Sequence, residues 1–417
     1  MSRTLFPHFF AFLLTGGLLA YPGACLDLIL RDFGWSPGVF GIAMLLQGAF
    51  SFIGSKFASH RSGGEYYRIW VVRSLLLLGA GLLIYYFADW TFLPVLKALG
   101  VSSSHASYLR LVGICCIGFG IGCNGILNNT AALVSENPSF GLNLLNMGFT
   151  AGAVLLPLST SLYLHIPGLT TSVFAWRVPA LVLVAAYVVL SLHCSRSQYL
   201  AQPAHIDKGA DTMRRRKPPW PVLASSLVLF CYVGSEINIS NSLGLMSELL
   251  FGFSNYDSRV ASSIFWAGLL GARVYFCFRS PPAHSYPRVM TALSLACVFL
   301  FASLLFKVFL VAPDALLMSR ALILCLGVCI GGMYSLALGA LTALFDSAQA
   351  RQFANTAVMS GVAGAVILPF LFGQITDLID LSAATTFVFV LISLMFGGAA
   401  LLMHFSKTSR QAHSGTA

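Results

Sequence analysis

The feature that most restricts the fold is a succession of apolar runs long enough to cross a bilayer. About 20 helical residues span a hydrocarbon core. The chain of 417 residues carries twelve runs of that size, at roughly 7–30, 36–56, 69–88, 108–134, 140–165, 175–194, 220–248, 259–278, 288–311, 318–345, 353–376 and 383–404. Turn-forming and charged residues separate them, as in Arg61-Ser62-Gly63-Gly64-Glu65 and Ser280-Pro281-Pro282. Spanning strands would be about ten residues long and alternate in polarity, which these runs do not. The expected fold is all-α and integral to the membrane.

Composition agrees. Only 9% of residues are charged and the mean hydropathy is +0.82, against about 25% charged in a soluble domain. That excludes an ordinary cytosolic enzyme, a disordered chain and a nucleic-acid binder. The net charge of +10 comes from basic residues at the ends of the apolar runs. With the N-terminus in the cytoplasm, seventeen of the 24 Lys and Arg fall on the cytoplasmic side. Arg31, Lys97, Arg110, Arg177, Arg259, Lys307 and Arg320 fall opposite. This asymmetry places both termini inside, in a plasma or bacterial inner membrane. Lys307 and Arg320 are expected to snorkel to the outer surface.

The ten cysteines all lie in or beside apolar runs and form no CxxC pair, so they read as packing residues. No His-x4-Asp follows any histidine, and no polar loop is long enough for a catalytic domain. No catalytic residue, cofactor or metal site is expected. The first run is too long and too glycine-rich for a cleaved signal peptide.

A polar stretch at 195–219, ending Arg214-Arg215-Arg216-Lys217-Pro218-Pro219, divides six runs from six. The expected organisation is a bundle at 1–194, a basic linker, a second bundle at 220–404 and a tail at 405–417. The halves are related. Under a shift of 212 residues, twelve of the 38 positions in 120–157 match 332–369 without a gap, where chance gives about three. Asn143 meets Asn355, Met147 meets Met359, Ala151-Gly152-Ala153-Val154 meets Ala363-Gly364-Ala365-Val366, and Leu156-Pro157 meets Leu368-Pro369. Weaker echoes pair Tyr21-x-Gly23 with Tyr232-x-Gly234 and Gly54-Ser-Lys56 with Gly271-Ala-Arg273. Six spans per half is an even number, so both halves enter the membrane the same way. They are parallel repeats related by a pseudo-two-fold axis along the membrane normal. Pro157 and Pro369 are expected to kink paired spans. Gly118, Gly120, Gly122, Gly331 and Gly332 permit close helix approach.

Polar groups at membrane depth are costly and mark candidate sites. Glu236 lies mid-span in Tyr232-Val-Gly-Ser-Glu236-Ile-Asn238-Ile-Ser-Asn241. Tyr232, Glu236 and Ser240 share a helix face, which Asn238 and Asn241 widen. The alternative for Glu236 is a buried bond between helices. Asp27, near the outer end of the first span, is either a titrating acid or a carboxylate touching water. Asn124 and Asn128 share a face of the fourth span. Asn143 and Asn146 begin the fifth, and Asn355 is the mate of Asn143. An amide both donates and accepts, suiting a hydroxyl-rich ligand, though a residue present in both halves also suits helix-to-helix contact. Gln47, Trp266 and Tyr334 complete the candidate solute site. Asp27 and Glu236 are the candidates for proton coupling.

These residues resemble the fucose and glucose proton symporter branch of the major facilitator superfamily. The similarity runs through Leu26-Asp27-Leu-Ile-Leu with Gly34-Trp-Ser36, and Tyr232-Val233-Gly234-Ser-Glu236. It continues in Trp266-Ala-Gly268-Leu-Leu-Gly271-Ala-Arg273, and in Leu142-Asn143-Leu-Leu-Asn146 leading to Gly152 and Pro157. The resemblance implies a sugar-like solute. Two departures stand out. Asn124 replaces the fourth-helix glutamate of the branch, and an amide does not titrate. The loop Gly54-Ser-Lys-Phe-Ala-Ser-His60-Arg61-Ser-Gly63 lacks the superfamily's aspartate.

The expected activity is transport of a small polar organic solute, a sugar first, by alternating access of two bundles around a midplane cavity lined by spans 1, 4, 7 and 10. It is either proton-coupled or facilitative. The alternatives are an amino-acid transporter of the same fold and a transporter-like sensor without flux. The expected partners are the solute, the lipid bilayer and a coupled proton, with no nucleic acid, and the chain reads as a monomer.

Overall fold

The computed structural model describes residues 5–59, 66–91, 105–133, 138–166, 175–197, 219–279, 281–311, 313–345 and 347–414. Among the described residues the chain is helical, with no strand. The basic linker at 198–218 and the loop positions 60–65 lie outside them. The helices form two units, Met1–Met213 and Arg214–Ala417. Among the described residues eleven helical stretches are long and apolar enough to cross a membrane, and the protein is an integral, multi-pass membrane protein.

The first unit holds α1 (Phe6–Phe33), α2 (Pro37–Ser59), α3 (Tyr66–Thr91), α4 (His105–Leu133), α5 (Pro138–Leu164) and α6 (Val178–Arg196), the last entered through a 3-10 turn at Ala175–Arg177. The second holds α7 (Trp220–Leu249), α8 (Asn255–Phe278), α9 (Tyr286–Leu305), α10 (Ala315–Gly331), α11 (Met333–Leu344), α12 (Ser347–Leu378) and α13 (Leu381–Ser414). Here α10 and α11 together make the tenth span, so the second unit also has six. The least apolar span is α8, with Asp257, Arg259 and Arg273 in its 24 residues.

Local sequence sets several helix ends. Pro7 opens α1, where a missing N–H costs nothing. Gly34 closes it in the left-handed region at φ 62°, and the Trp35 N–H returns to the Leu30 carbonyl at 2.9 Å. Asp314 and Asp380 cap α10 and α13, accepting from the N–H groups of Leu317 at 2.9 Å and Ala383 at 2.6 Å.

The breaks in helical geometry lie away from Pro157 and Pro369. Both α5 and α12 run without interruption through Pro157 and Pro369. The first span instead leaves helical geometry at Cys25, three residues past Pro22, with φ −145° and ψ 23°. Pro22 withholds its N–H from the preceding turn, and Asp27 follows two residues beyond the break. The tenth span breaks at Gly332, whose N–H turns back to the Ile330 carbonyl.

The two units pack alike. In each, the first span lies on the fifth, the second on the fourth and the third on the sixth. Small residues bring the first pair into backbone contact. A Cβ added at Gly152 would overlap the Leu13 carbonyl oxygen, and one added at Gly364 would overlap that of Phe230. Gly17 lies against Leu156, and Gly234 against Leu368. Both pairings relate α1 to α7 by 217 residues. The Tyr21-x-Gly23 and Tyr232-x-Gly234 echo therefore sits in the wrong register, by six residues. Gly234 corresponds to Gly17, and Tyr232 to Thr15.

Candidate functional site

The second unit gathers its strongest polar group on α7. Glu236 stands midway along this helix, buried. One turn earlier, Tyr232 donates a hydrogen bond to its carboxylate. From α8, Arg273 brings Nη2 to 3.6 Å from Glu236 Oε1 and donates to the Tyr232 hydroxyl at 3.4 Å. From α11, just past the Gly332 break, the Tyr334 ring comes within 6.4 Å of the Tyr232 ring. Helical spacing of four places Tyr232 and Glu236 on one face, and that face meets Arg273 in the C-terminal part of α8. The charges compensate each other, as an ion pair at membrane depth requires.

One turn further along the same face, the Ser240 hydroxyl accepts from the Trp266 indole N–H at 2.7 Å. The Ser262 hydroxyl donates to the Ser240 carbonyl at 3.2 Å. Trp266 is thus tied to α7 rather than projecting as a bare ring.

Asn238 and Asn241 do not widen this face. They lie one and two turns beyond Gly234, on the side of α7 that packs against α12. Both are buried, and Asn238 Nδ2 and Asn241 Oδ1 have no hydrogen-bond partner among the described residues. A pair of orphaned amide atoms at a helix interface is a place for a bound water or a ligand hydroxyl.

In the first unit, Asn124 and Asn128 belong to a closed chain of hydrogen bonds. His8 Nδ1 donates to Asn128 Oδ1 at 2.6 Å, Asn128 Nδ2 to Asn124 Oδ1 at 2.6 Å, and Asn124 Nδ2 to Thr15 Oγ1 at 3.1 Å. Thr15 passes its own proton to the Ala11 carbonyl at 2.8 Å. These roles are set by assigning the amide orientations to the network. The chain stitches α1 to α4, and each amide already has one donor and one acceptor in use. His8 and Thr15 were not among the sequence candidates. Their signal was available: polar residues at positions 8 and 15 share a helix face of the first span.

A second group missed in the sequence lies at one end of the first unit. Arg177, 1% exposed, donates to Asp32 at 2.6 Å and approaches Asp89 at 3.2 Å. Arg110 pairs with Asp89 and lies 4.0 Å from the centroid of the Phe33 ring. Trp176 Nε1 donates to Asp32 at 3.1 Å. Two arginines expected only as outer-end charges thus join α1, α3, α4 and α6. Arg320, expected only as an outer-end charge, reaches across to Asp257 of α8 at 2.5 Å.

The remaining candidates disperse. Gln47 is half-buried on α2, its carbonyl against Gly118 of α4. Asn146 is exposed on α5. Asp27 is half-buried near the end of α1. The side chains of Asn143 and Asn355 lie outside the described part of the structure. Among the described residues no three His, Cys, Asp or Glu side chains converge as metal ligands.

No family model and no curated protein matches the sequence. Solved structures do. A bacterial homologue of the iron transporter ferroportin, in an inward-facing state, is 15% identical with a TM-score of 0.64, over 97% of this chain and 99% of that one. A bacterial metal transporter is 13% identical with a TM-score of 0.66, over 97% and 98%. A bacterial homologue of the human lysosomal transporter Spinster, inward-facing and occupied, is 11% identical with a TM-score of 0.67, over 98% and 97%. The chain shares the all-helical fold of these proteins.

Proposed function

We propose that this protein is a secondary transporter of a small polar organic solute, working by alternating access, with its solute site at Tyr232, Glu236, Arg273 and Tyr334. The observation that carries the reading is a buried carboxylate midway along α7, Glu236, paired with Arg273 of α8. Charges at that depth are costly and are retained where a pathway uses them. The resemblance of the α7 and α8 segments to sugar–proton symporters favours a sugar-like solute. Glu236 is the acid placed to couple a proton, with Asp27 as a second candidate.

One of the structural neighbours is described as a homologue of an iron transporter and another as a metal transporter. The donors on the α7 face are one carboxylate engaged by a guanidinium, tyrosine and serine hydroxyls and an indole N–H. That set suits hydrogen bonding to an organic molecule, whereas divalent metals are taken by several carboxylate, thiolate or imidazole ligands.

The test is uptake into liposomes holding the purified protein. Labelled hexoses, sugar acids, amino acids and divalent manganese and iron would be offered with and without an inward proton gradient. Saturable organic flux that Glu236→Gln uncouples from the gradient supports the reading. Metal flux alone overturns the solute class, and binding without flux for any compound points to a sensor.

A further inference from the structure

Arg273 is held by α7 in an unusual way. Its guanidinium stands 3.6 Å from Glu236, well outside the 2.7–2.9 Å of a close charge-assisted bond. The Arg320–Asp257 pair of the same unit closes to 2.5 Å. Tyr232 stands between the two charges, donating to Glu236 while accepting from Arg273. The burial is also unequal: the Glu236 side chain is 9% exposed and that of Arg273 is 20% exposed. The arginine is therefore the outward member of the pair. Tyr334, 37% exposed and the other hydroxyl-bearing ring beside Arg273, sits directly after the Gly332 break.

Charge balance decides what such a site can take. With Glu236 ionised, the pair is neutral. A neutral sugar adds only hydroxyls and leaves the pair as it is. An anion adds one negative charge, which the low-dielectric interior of the unit does not tolerate unless another charge is removed. Glu236 can remove it by taking one proton on a carboxylate oxygen. Among the described residues, Tyr232 and Arg273 face Glu236, and Arg273 is faced by Tyr232, Glu236 and Tyr334 among others. The only acid in this set is Glu236.

Resting on the transport reading above, we infer that the solute carries a carboxylate beside its hydroxyls, and that Arg273 passes from Glu236 to that carboxylate when Glu236 takes up a proton. Arginine suits the exchange because its planar fork matches a carboxylate in two parallel hydrogen bonds, whereas Glu236 stands at 3.6 Å, outside such a bond. Tyr232 turns its hydroxyl proton toward whichever carboxylate remains ionised. The proton and the anion enter together, so the step moves no net charge. The solute class is a hydroxylated carboxylate such as a sugar acid.

The experiment compares glucose with glucuronate, which share a ring and differ at one carbon, in liposomes holding the full-length protein. The expected result is saturable glucuronate uptake driven by an inward proton gradient and unchanged by a potassium diffusion potential. Glucose should be at least about tenfold poorer, the loss of one bidentate contact to a buried group. Glu236→Gln should keep glucuronate exchange and lose its stimulation by the gradient. Arg273→Lys should raise the glucuronate KM without a matching change for glucose. Glucose carried as well as glucuronate overturns the carboxylate assignment and leaves the transport reading intact. Glucuronate uptake that follows membrane potential overturns the proton exchange. Absence of flux for both sugars overturns the inference, and absence across the wider panel overturns the transport reading too. The wild-type comparison needs no variant to fold.

Discussion

Gly17 and Gly234 hold the same place in the two repeats, each against a leucine of its unit's fifth span, Leu156 and Leu368. The shift of 212 residues superposes those leucines. The scaffold contact is thus duplicated while its surroundings diverge. Two residues earlier, Thr15 enters an uncharged amide chain, and its counterpart Tyr232 enters an ion-pair cluster. The duplicated bundles keep their packing and differ in their polar chemistry.

The close approach predicts a paired effect. Gly152→Ala and Gly364→Ala each drive a methyl group into a backbone carbonyl that side-chain motion does not relieve. Each should cost about 1–3 kcal/mol. Gly397→Ala meets open space on α13 and should stay within about 0.5 kcal/mol of the parent. Thermal unfolding in detergent reads the difference, and equal losses at all three positions would reject the packing register.

Removing one member of the Glu236–Arg273 pair leaves the other charge uncompensated. Arg273→Gln should destabilise by about 2–3 kcal/mol, less than for a fully buried pair because the arginine is partly exposed. Glu236→Gln placed on top of it should recover part of that loss. A double-variant cycle with coupling near zero would show that the two charges do not feel each other.

The amide chain of the first unit should behave as one object. Asn124→Ala leaves Asn128 Nδ2 and the Thr15 hydroxyl each short of a partner, at about 1–3 kcal/mol. Thr15→Val added to it should cost much less than it does alone. Fully additive losses in denaturant would mean the bonds are independent.

Burial should grade the ion pairs. Arg177, 1% exposed and shared between Asp32 and Asp89, should lose about 3–5 kcal/mol as Arg177→Gln. Arg320 is 34% exposed, and Arg320→Gln should lose no more than about 1 kcal/mol despite its shorter contact. A larger loss at Arg320 would mean that distance, not desolvation, sets these energies.

Much of this was legible along the chain. Apolar length read out the spans, and identities at a constant shift read out the repeat. Glu236 was legible because a lone carboxylate mid-span has few innocent explanations. Arg273 was harder to see: it sits near the end of an apolar run and reads as a topology charge until a partner is found for it. Asp32 and Asp89 were harder to see for the same reason, and the shared face of His8 and Thr15 was a faint signal. Each is ordinary on its own helix and becomes informative only beside a residue of another helix, as with His8 and Asn128, 120 positions apart.

The sequence by itself determined that the protein spans a membrane with two parallel repeats of six helices, because bilayer thickness and hydrophobic transfer act on contiguous residues. Only the tertiary structure decided the register between α1 and α7, the side of α7 taken by Asn238 and Asn241, and the pairing of Arg273 with Glu236. Those depend on which helix faces meet, and a face one-third of a turn wide can be turned by a single residue. An apolar run carries no mark of the neighbour it will pack against. Side-chain shape and backbone approach supply that mark once the helices are assembled.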